Sequence, residues 1–164
     1  MVTSACVLDS IQVADLASVA RLFSECKVRA FLGGPLSPQL AEQRAAELAK
    51  QSTHAWAVRE SLGSPLLGVV VLDRHHELED LEVSYLFLPE HWGRGYASEA
   101  VRQVVARAFG TLGLRRIVAE TQSANTASVR LLEHLGFRLL RKVVRFGAEQ
   151  SIYFAGPAHG QAAT

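Results

Sequence analysis

With 164 residues, 49% hydrophobic and 20% charged, the chain is long enough to bury one full core and has the make-up of a soluble globular enzyme or binding domain. A formal net charge of +1 removes any bulk electrostatic reason to expect nucleic acid or an anionic membrane as a partner, and no apolar run approaches membrane-spanning length. Cys6 and Cys26 have no further cysteine for company, which suggests neither a disulfide framework nor a zinc motif. Met1 to Ile11 lacks the charged start and apolar middle of a signal peptide, so a reducing cytoplasm is the expected compartment.

In chain order, Ser4 to Leu8 reads as a short strand. Asp15 is placed to cap a helix carrying Leu16, Val19, Ala20 and Phe23. Leu32-Gly33-Gly34-Pro35 is a loop. Ser37 before Pro38 starts a second helix, with Leu40, Ala41, Ala45 and Leu48 as its buried stripe. Three strands in hairpin order follow, His54–Glu60, Leu66–Arg74 and Glu79–Leu88. A third helix carries Ala97, Ala100, Val101, Val104, Val105, Ala108, Phe109 and Leu112, with Gly113 at its C-cap. Ile117 to Thr121 is a strand, Asn125 to Leu135 a helix ended by Gly136, and Phe137–Phe146 with Ser151–Phe154 a closing hairpin. The order β-α-α-β-β-β-α-β-α-β-β predicts an α/β fold with a mixed, mostly antiparallel central sheet flanked by helices. One domain over residues 1–154 is expected, with 155–164, AGPAHGQAAT, as a flexible tail.

The most informative stretch is Leu81 to Ala100, LEVSYLFLPEHWGRGYASEA. An apolar strand runs into Pro89, then into Gly93 and Gly95, then into a helix. Pro89 cannot extend a ladder, and Gly95 lets backbone approach a ligand where a Cβ would obstruct it. The helix that follows turns its N–H groups and positive dipole end toward whatever sits over the loop, an anion site for which phosphate or pyrophosphate is the usual occupant.

HWGRGYASEA after a strand and a proline, followed by SANTASVRLLEHLGF, resembles the GCN5-related N-acetyltransferases, and together with VRAFLGGPLS it is similar to the branch of the ribosomal-protein N-terminal acetyltransferases. The resemblance covers nearly the whole chain. It maps the family's phosphate-loop pattern onto Trp92-Gly93-Arg94-Gly95-Tyr96-Ala97, with Trp92 where the pattern has Gln or Arg. It implies acetyl-CoA as co-substrate. Phosphate would then be held by main-chain amides from about Arg94 to Ser98, through Gly95, Tyr96 and Ala97, with Gly93 also at the cofactor and Arg94 as a charge partner for the pyrophosphate or the ribose phosphate. The pantetheine would pair with main-chain groups of Phe87 and Leu88 in the gap where the strand before the loop splays from the strand after the helix. Donors from the strand ending at Leu88 would face the thioester oxygen.

The same resemblance puts Asn125 and Ser128 beside the thioester. Asn125 reads equally well as a helix cap, and Ser128, three residues on, is placed to donate to the departing thiolate. Glu82 matches the branch's glutamate and is the candidate general base, its ordinary alternative being a solvated strand carboxylate. Tyr153 is a weaker candidate acid that reads first as core, as do Tyr85 and Trp56. No metal is expected: His75 and His76 are adjacent and not easily turned to one ligand, and His54, His91, His134 and His159 are scattered.

The implied activity is transfer of an acetyl group from acetyl-CoA to a primary amine, on a protein N-terminus or a small molecule, by direct attack in a ternary complex. A non-catalytic acyl-CoA-binding sensor would use the same pocket. A dinucleotide-binding turn fits poorly, because the loop follows a hairpin-order strand and Glu120 lies beyond the usual acidic position. A homodimer is compatible with such folds.

Overall fold

The computed structural model describes residues 4–50 and 54–157; most of the expected tail, including His159, lies outside the described residues. The strands are β1 (Val7–Asp9), β2 (Ala55–Arg59), β3 (Gly68–Arg74), β4 (Leu81–Phe87), β5 (Ile117–Gln122), β6 (Arg138–Arg145) and β7 (Ala148–Ala155). The helices are α1 (Leu16–Ser24), α2 (Pro38–Lys50), α3 (Tyr96–Phe109) and α4 (Thr126–His134). The strands follow the order β1-β2-β3-β4-β5-β7-β6 in a seven-stranded sheet, antiparallel at β1/β2, β2/β3, β5/β7 and β6/β7 and parallel at β4/β5. This is the mixed, mostly antiparallel sheet expected from the element order. Among the described residues no helix is long and apolar enough to cross a membrane.

Two compact units are distinguished, Met1–Val71 with Tyr85–Ala100, and Leu72–Ser84 with Val101–Thr164. In the first, Val19 and Leu22 of α1 and Ala45 of α2 pack with Ala57, Leu66, Val69 and Leu88 into one buried cluster, joined at its edge by Leu16, Phe23 and Leu48. The 3-to-4 spacing of α1 thus does what its periodicity predicts. Leu40 is the exception in α2, left about half exposed. Ser37 caps this helix, its Oγ accepting from Leu40 N at 3.3 Å.

Asp15 departs from its expected role. It makes no side-chain cap to α1. Its carboxylate instead accepts from Gln12 N at 2.8 Å and is gripped by both guanidinium nitrogens of Arg59, at 2.8 and 2.6 Å. Burial pushes the Asp15 carboxyl up, but the Arg59 and Gln12 hydrogen bonds and the Arg59 charge outweigh it and hold the group below its ordinary range. Asp9 adds a second contact to Arg59 at 3.0 Å.

In the second unit, Ala100 having closed the first, α3 continues with Val101, Val104 and Ala108 fully buried. The helix stops at Phe109 rather than near Gly113, whose φ of 64° serves the loop leading to β5. The parallel β4/β5 ladder comprises Leu81↔Ile117 and Glu82↔Val118, whereas β5 pairs with β7 from Ile117↔Ala155 to Gln122↔Gln150.

Candidate functional site

In the first unit, β4 ends at Phe87 and a 3₁₀ turn over Pro89–His91 carries the chain into the glycine loop. Pro89 occupies the first position of that turn, where its missing N–H costs nothing. Gly93 and Gly95 have φ of 76° and 82°, the left-handed region, so both glycines are conformationally required here. The first bond of α3 runs from Glu99 N to Gly95 O at 3.1 Å. The amides of Tyr96 and Ala97 therefore belong to the first turn, at the positive end of the helix.

Surrounding contacts fix this loop. Ser4 Oγ donates to Arg94 O at 2.6 Å, Tyr96 OH donates to Glu60 Oε1 at 2.5 Å, and Trp92 Nε1 donates to Phe87 O at 2.8 Å. The Arg94 side chain is exposed, those of Tyr96 and Ser98 are buried, and Ala97 is half-buried. Arg21 and Glu90 brace the 3₁₀ turn against α1 at 2.5 and 3.0 Å.

Leu88 does not offer what its position led one to expect. Its N–H donates to Leu67 O at 3.0 Å and its carbonyl accepts from His91 N at 3.0 Å. Its N–H is thus used within the protein and offers no free donor to a thioester oxygen, whereas its carbonyl, with one bond accepted, keeps a second lone pair for a pantetheine amide. Phe87 O keeps a second lone pair beside the indole hydrogen bond.

In the second unit, Glu82 sits where the parallel ladder ends. Val118 is its register partner, and the next β5 amide on the same side, that of Glu120, donates to Glu82 Oε2 at 3.2 Å. The carboxylate thus takes the place of a missing strand partner. Burial, then the Glu120 charge and more weakly Asp73, push the Glu82 carboxyl up to about 7, against the opposing pull of the Glu120 N–H and Arg145.

Glu120 carries a cluster that the sequence did not disclose. His75 and His76 stack with ring centroids 4.3 Å apart, and their Nε2 atoms lie 3.8 and 3.7 Å from its two carboxylate oxygens. The adjacent histidines therefore do face one group, contrary to expectation, from the start of the six-residue connection to β4 that is closed by His75 N donating to Asp80 O at 3.0 Å. Arg145 Nη2 lies 3.1 Å from Glu120 Oε1 and 2.5 Å from Glu77 Oε2.

Although His75, His76 and Glu120 have the spacing of metal ligands, their chemistry is wrong for it. His75 Nδ1 accepts from Glu77 N at 3.2 Å and Leu78 N at 3.0 Å, which fixes the proton of the neutral ring on Nε2, the atom facing Glu120. The Arg145 guanidinium, 2.5 Å from His76 Nε2, adds a resident cation. Burial, the neighbouring His76 and Arg145 depress His75 below its ordinary value, so the ring is neutral at pH 7.

Asn125 is the N-cap of α4, its Oδ1 accepting from Ser128 N at 3.3 Å. The two residues are thus brought together by the cap itself. Tyr153 is buried on β7 and donates to Glu133 Oε1 at 3.3 Å; burial, then Glu133, raise its phenol above the ordinary value. Tyr85 and Trp56, expected in the core, are half-buried.

The model of the acetyltransferase (GNAT) domain matches residues 6–138. The chain belongs to the GNAT family. The uncharacterized N-acetyltransferase YoaA of Bacillus subtilis (strain 168) is 36% identical over 87 residues, 51% of this chain and 48% of that protein. The chain spans about half the length, or less, of the first curated relatives it matches. The GNAT fold itself recurs in solved structures. An acetyltransferase of Bacillus anthracis superposes with a TM-score of 0.80 at 20% identity, covering 92% of this chain and 94% of that one. The spermidine N-acetyltransferase of Vibrio cholerae, in complex with CoA and spermine, does so with a TM-score of 0.77 at 18% identity, covering 92% and 95%.

Proposed function

We propose that this GNAT-family chain is an acetyl-CoA-dependent N-acetyltransferase that moves an acetyl group to a primary amine by direct attack in a ternary complex. The observation that carries the reading is the pair of left-handed glycines, Gly93 and Gly95, leading into the first turn of α3. That arrangement fits a pyrophosphate: backbone amides and a helix dipole, with Arg94 exposed beside them. Gly93, Arg94, Gly95, Tyr96, Ala97 and Ser98 are assigned to the pyrophosphate, and the main-chain carbonyls of Phe87 and Leu88 to the pantetheine. Asn125 and Ser128 are assigned to the thioester end, where Ser128 would donate to the thiolate. A thiol of ordinary pKa about 8.5 is already a fair leaving group, so modest help suffices.

Glu82 is assigned as general base. Its Oε2 is anchored by the Glu120 amide, and Oε1 would meet the amine directly or through a water. The demand on it depends on the acceptor. An α-amine of pKa about 8 is roughly one-tenth neutral at pH 7, while a lysine near 10.4 is neutral well under one part in a thousand, a difference of about 3 kcal/mol. A carboxyl raised to about 7 suits an α-amine well. This supports a protein N-terminus as acceptor, in keeping with the branch resemblance, with small-molecule amines such as polyamines as the competing class. Residues 1–154 are read as one catalytic domain, cytoplasmic, with a homodimer compatible with the fold.

The test begins with thermal unfolding with and without acetyl-CoA, NADH serving as control. Acetyl-CoA at about a hundred times its Kd should raise the midpoint by about 5–10 °C, and amines should then release free CoA thiol. An absent shift with acetyl-CoA would sink the reading of the glycine loop. A shift without thiol release across α-amines, lysines and polyamines would leave only a binding module.

A further inference from the structure

We propose that Glu120 and Arg145 are a positioning pair for Glu82: Glu120 holds the Glu82 carboxylate through its amide and loads it through its own charge, and Arg145 sets how much of that charge Glu82 feels. The inference rests on the assignment of Glu82 as base.

The placement follows from register. Glu82 pairs with Val118, and residue 120 on the same strand returns to the same face two positions on. Its amide bond to Glu82 Oε2 therefore survives any change of the Glu120 side chain, which separates holding from loading. The Glu120 side chain is only 9% exposed. Its Oε1 lies 3.1 Å from Arg145 Nη2 but accepts no hydrogen bond among the described residues. Arg145 divides itself, bonding Glu77 through Nη2 and His76 through Nη1. The neighbouring His75 Nε2, fully buried and also without a hydrogen-bond partner, stops 3.8 Å short. A buried carboxylate whose cation is shared and whose buried neighbour His75 is neutral retains much of its negative field. In a low-dielectric setting that field acts on the next carboxyl.

The titratable groups facing this pair come from three elements: Asp73 from β3, His75, His76 and Glu77 from the segment after it, and Arg145 from β6; across β5 the β7 register partner of Glu120 is the uncharged Ile152. Asp73 acts in the same sense as Glu120, and Arg145 opposes both. Removing the Glu120 charge should therefore ease ionisation of Glu82, and removing the Arg145 charge should hinder it. A purely structural role would move neither in a directed way.

The experiment is a carboxyl-carbon NMR titration of Glu82 in the intact protein, assigned with Glu82→Gln, alongside the pH profile of kcat/KM. Glu120→Gln should lower the Glu82 midpoint by about one pH unit, Arg145→Gln should raise it, and Arg145→Lys should return it toward the native value. Arg145 lies at the end of a surface hairpin, so its variants keep the question open to test even if Glu120→Gln folds poorly. Midpoints that do not move in either Gln variant, or that move in the same direction, overturn the proposal. The base assignment fails separately: if Glu82→Gln leaves turnover intact while the NMR midpoints move in opposite directions, the electrostatic pair stands and the catalytic reading of Glu82 falls.

Discussion

The indole N–H of Trp92 donates to the main-chain oxygen of Phe87 at 2.8 Å. The residue standing where the family's pattern has a long polar side chain thus turns its one donor back onto the end of β4. This clamps the strand to the loop across the 3₁₀ turn. Trp92→Phe keeps most of the ring and removes the donor, which should cost about 1 kcal/mol of stability. In acetyl transfer the loss should appear as a several-fold higher KM for acetyl-CoA with kcat little changed. A variant with lower kcat and unchanged KM would show that the clamp does not serve the cofactor loop.

With Glu82 as the proposed base, activity and stability should depend on pH in opposite directions. Its folded pKa of about 7 lies above the ordinary carboxyl value of 4.5, so between those values the native state binds the proton more tightly than the unfolded chain. The associated stability is complete below about pH 4.5 and is lost as pH rises through 7, an effect of about 3 kcal/mol at most. A general base acts in its ionised form, so under the proposed role of Glu82 activity should rise over the same window to a plateau. Glu82→Gln should lower kcat by about a hundredfold with acetyl-CoA binding retained, and should flatten this part of the stability profile. Unfolding midpoints from pH 5 to 8 would check the second claim; an equally steep decline in the variant would assign the titration to another group.

The elements were legible in the sequence because α1, α3 and α4 keep strict 3-to-4 spacing and the strands end at Gly, Pro or polar turns. The glycine loop was legible for the same local reason. What stayed hidden depends on register. Nothing in the sequence says that residue 120 will sit beside Glu82, or that Arg145 will return to Glu120 from a hairpin 25 positions later. Asp15 shows the same limit: its local signature is that of a cap, and a partner 44 residues away claims its carboxylate. Leu88 shows it at a strand end: the main-chain N–H expected to face a thioester oxygen is already donated to Leu67 O, a long-range bond the local pattern does not signal.

Gly68 on β3 is small for a reason outside its own strand. A Cβ built there would lie 2.6 Å from Phe87 Cδ1 and closer still to Leu86 O. Gly68→Ala must therefore displace the end of β4, where backbone cannot yield cheaply and Phe87 is buried. A destabilisation of about 1–3 kcal/mol is expected. Because Phe87 leads into the clamp with Trp92, acetyl-CoA affinity should fall as well. Loss of stability with unchanged affinity, measured by calorimetric titration, would detach this packing from the proposed cofactor site.

The β6–β7 hairpin turns on Phe146 and Gly147, with φ of 53° and 72°, between the paired residues Arg145 and Ala148. Two successive positive φ values in a two-residue loop are the mark of a type I′ turn, for which Asn-Gly is the favoured pair. A phenylalanine in the left-handed region costs about 1–2 kcal/mol relative to a residue that tolerates it. The 80% exposed ring recovers little of that, its nearest aromatic neighbour being the His76 ring at 6.2 Å, tilted. Phe146→Asn should therefore raise stability by about 0.5–1 kcal/mol, or about 2–4 °C in the unfolding midpoint. Phe146→Ala is the control, since it removes the ring without supplying a side chain suited to that backbone. If both variants shift the midpoint equally, the ring's exposure rather than its backbone conformation is what the native turn tolerates. If Asn alone stabilises, the strain is real, and the residue is held at the hairpin tip for a purpose other than folding.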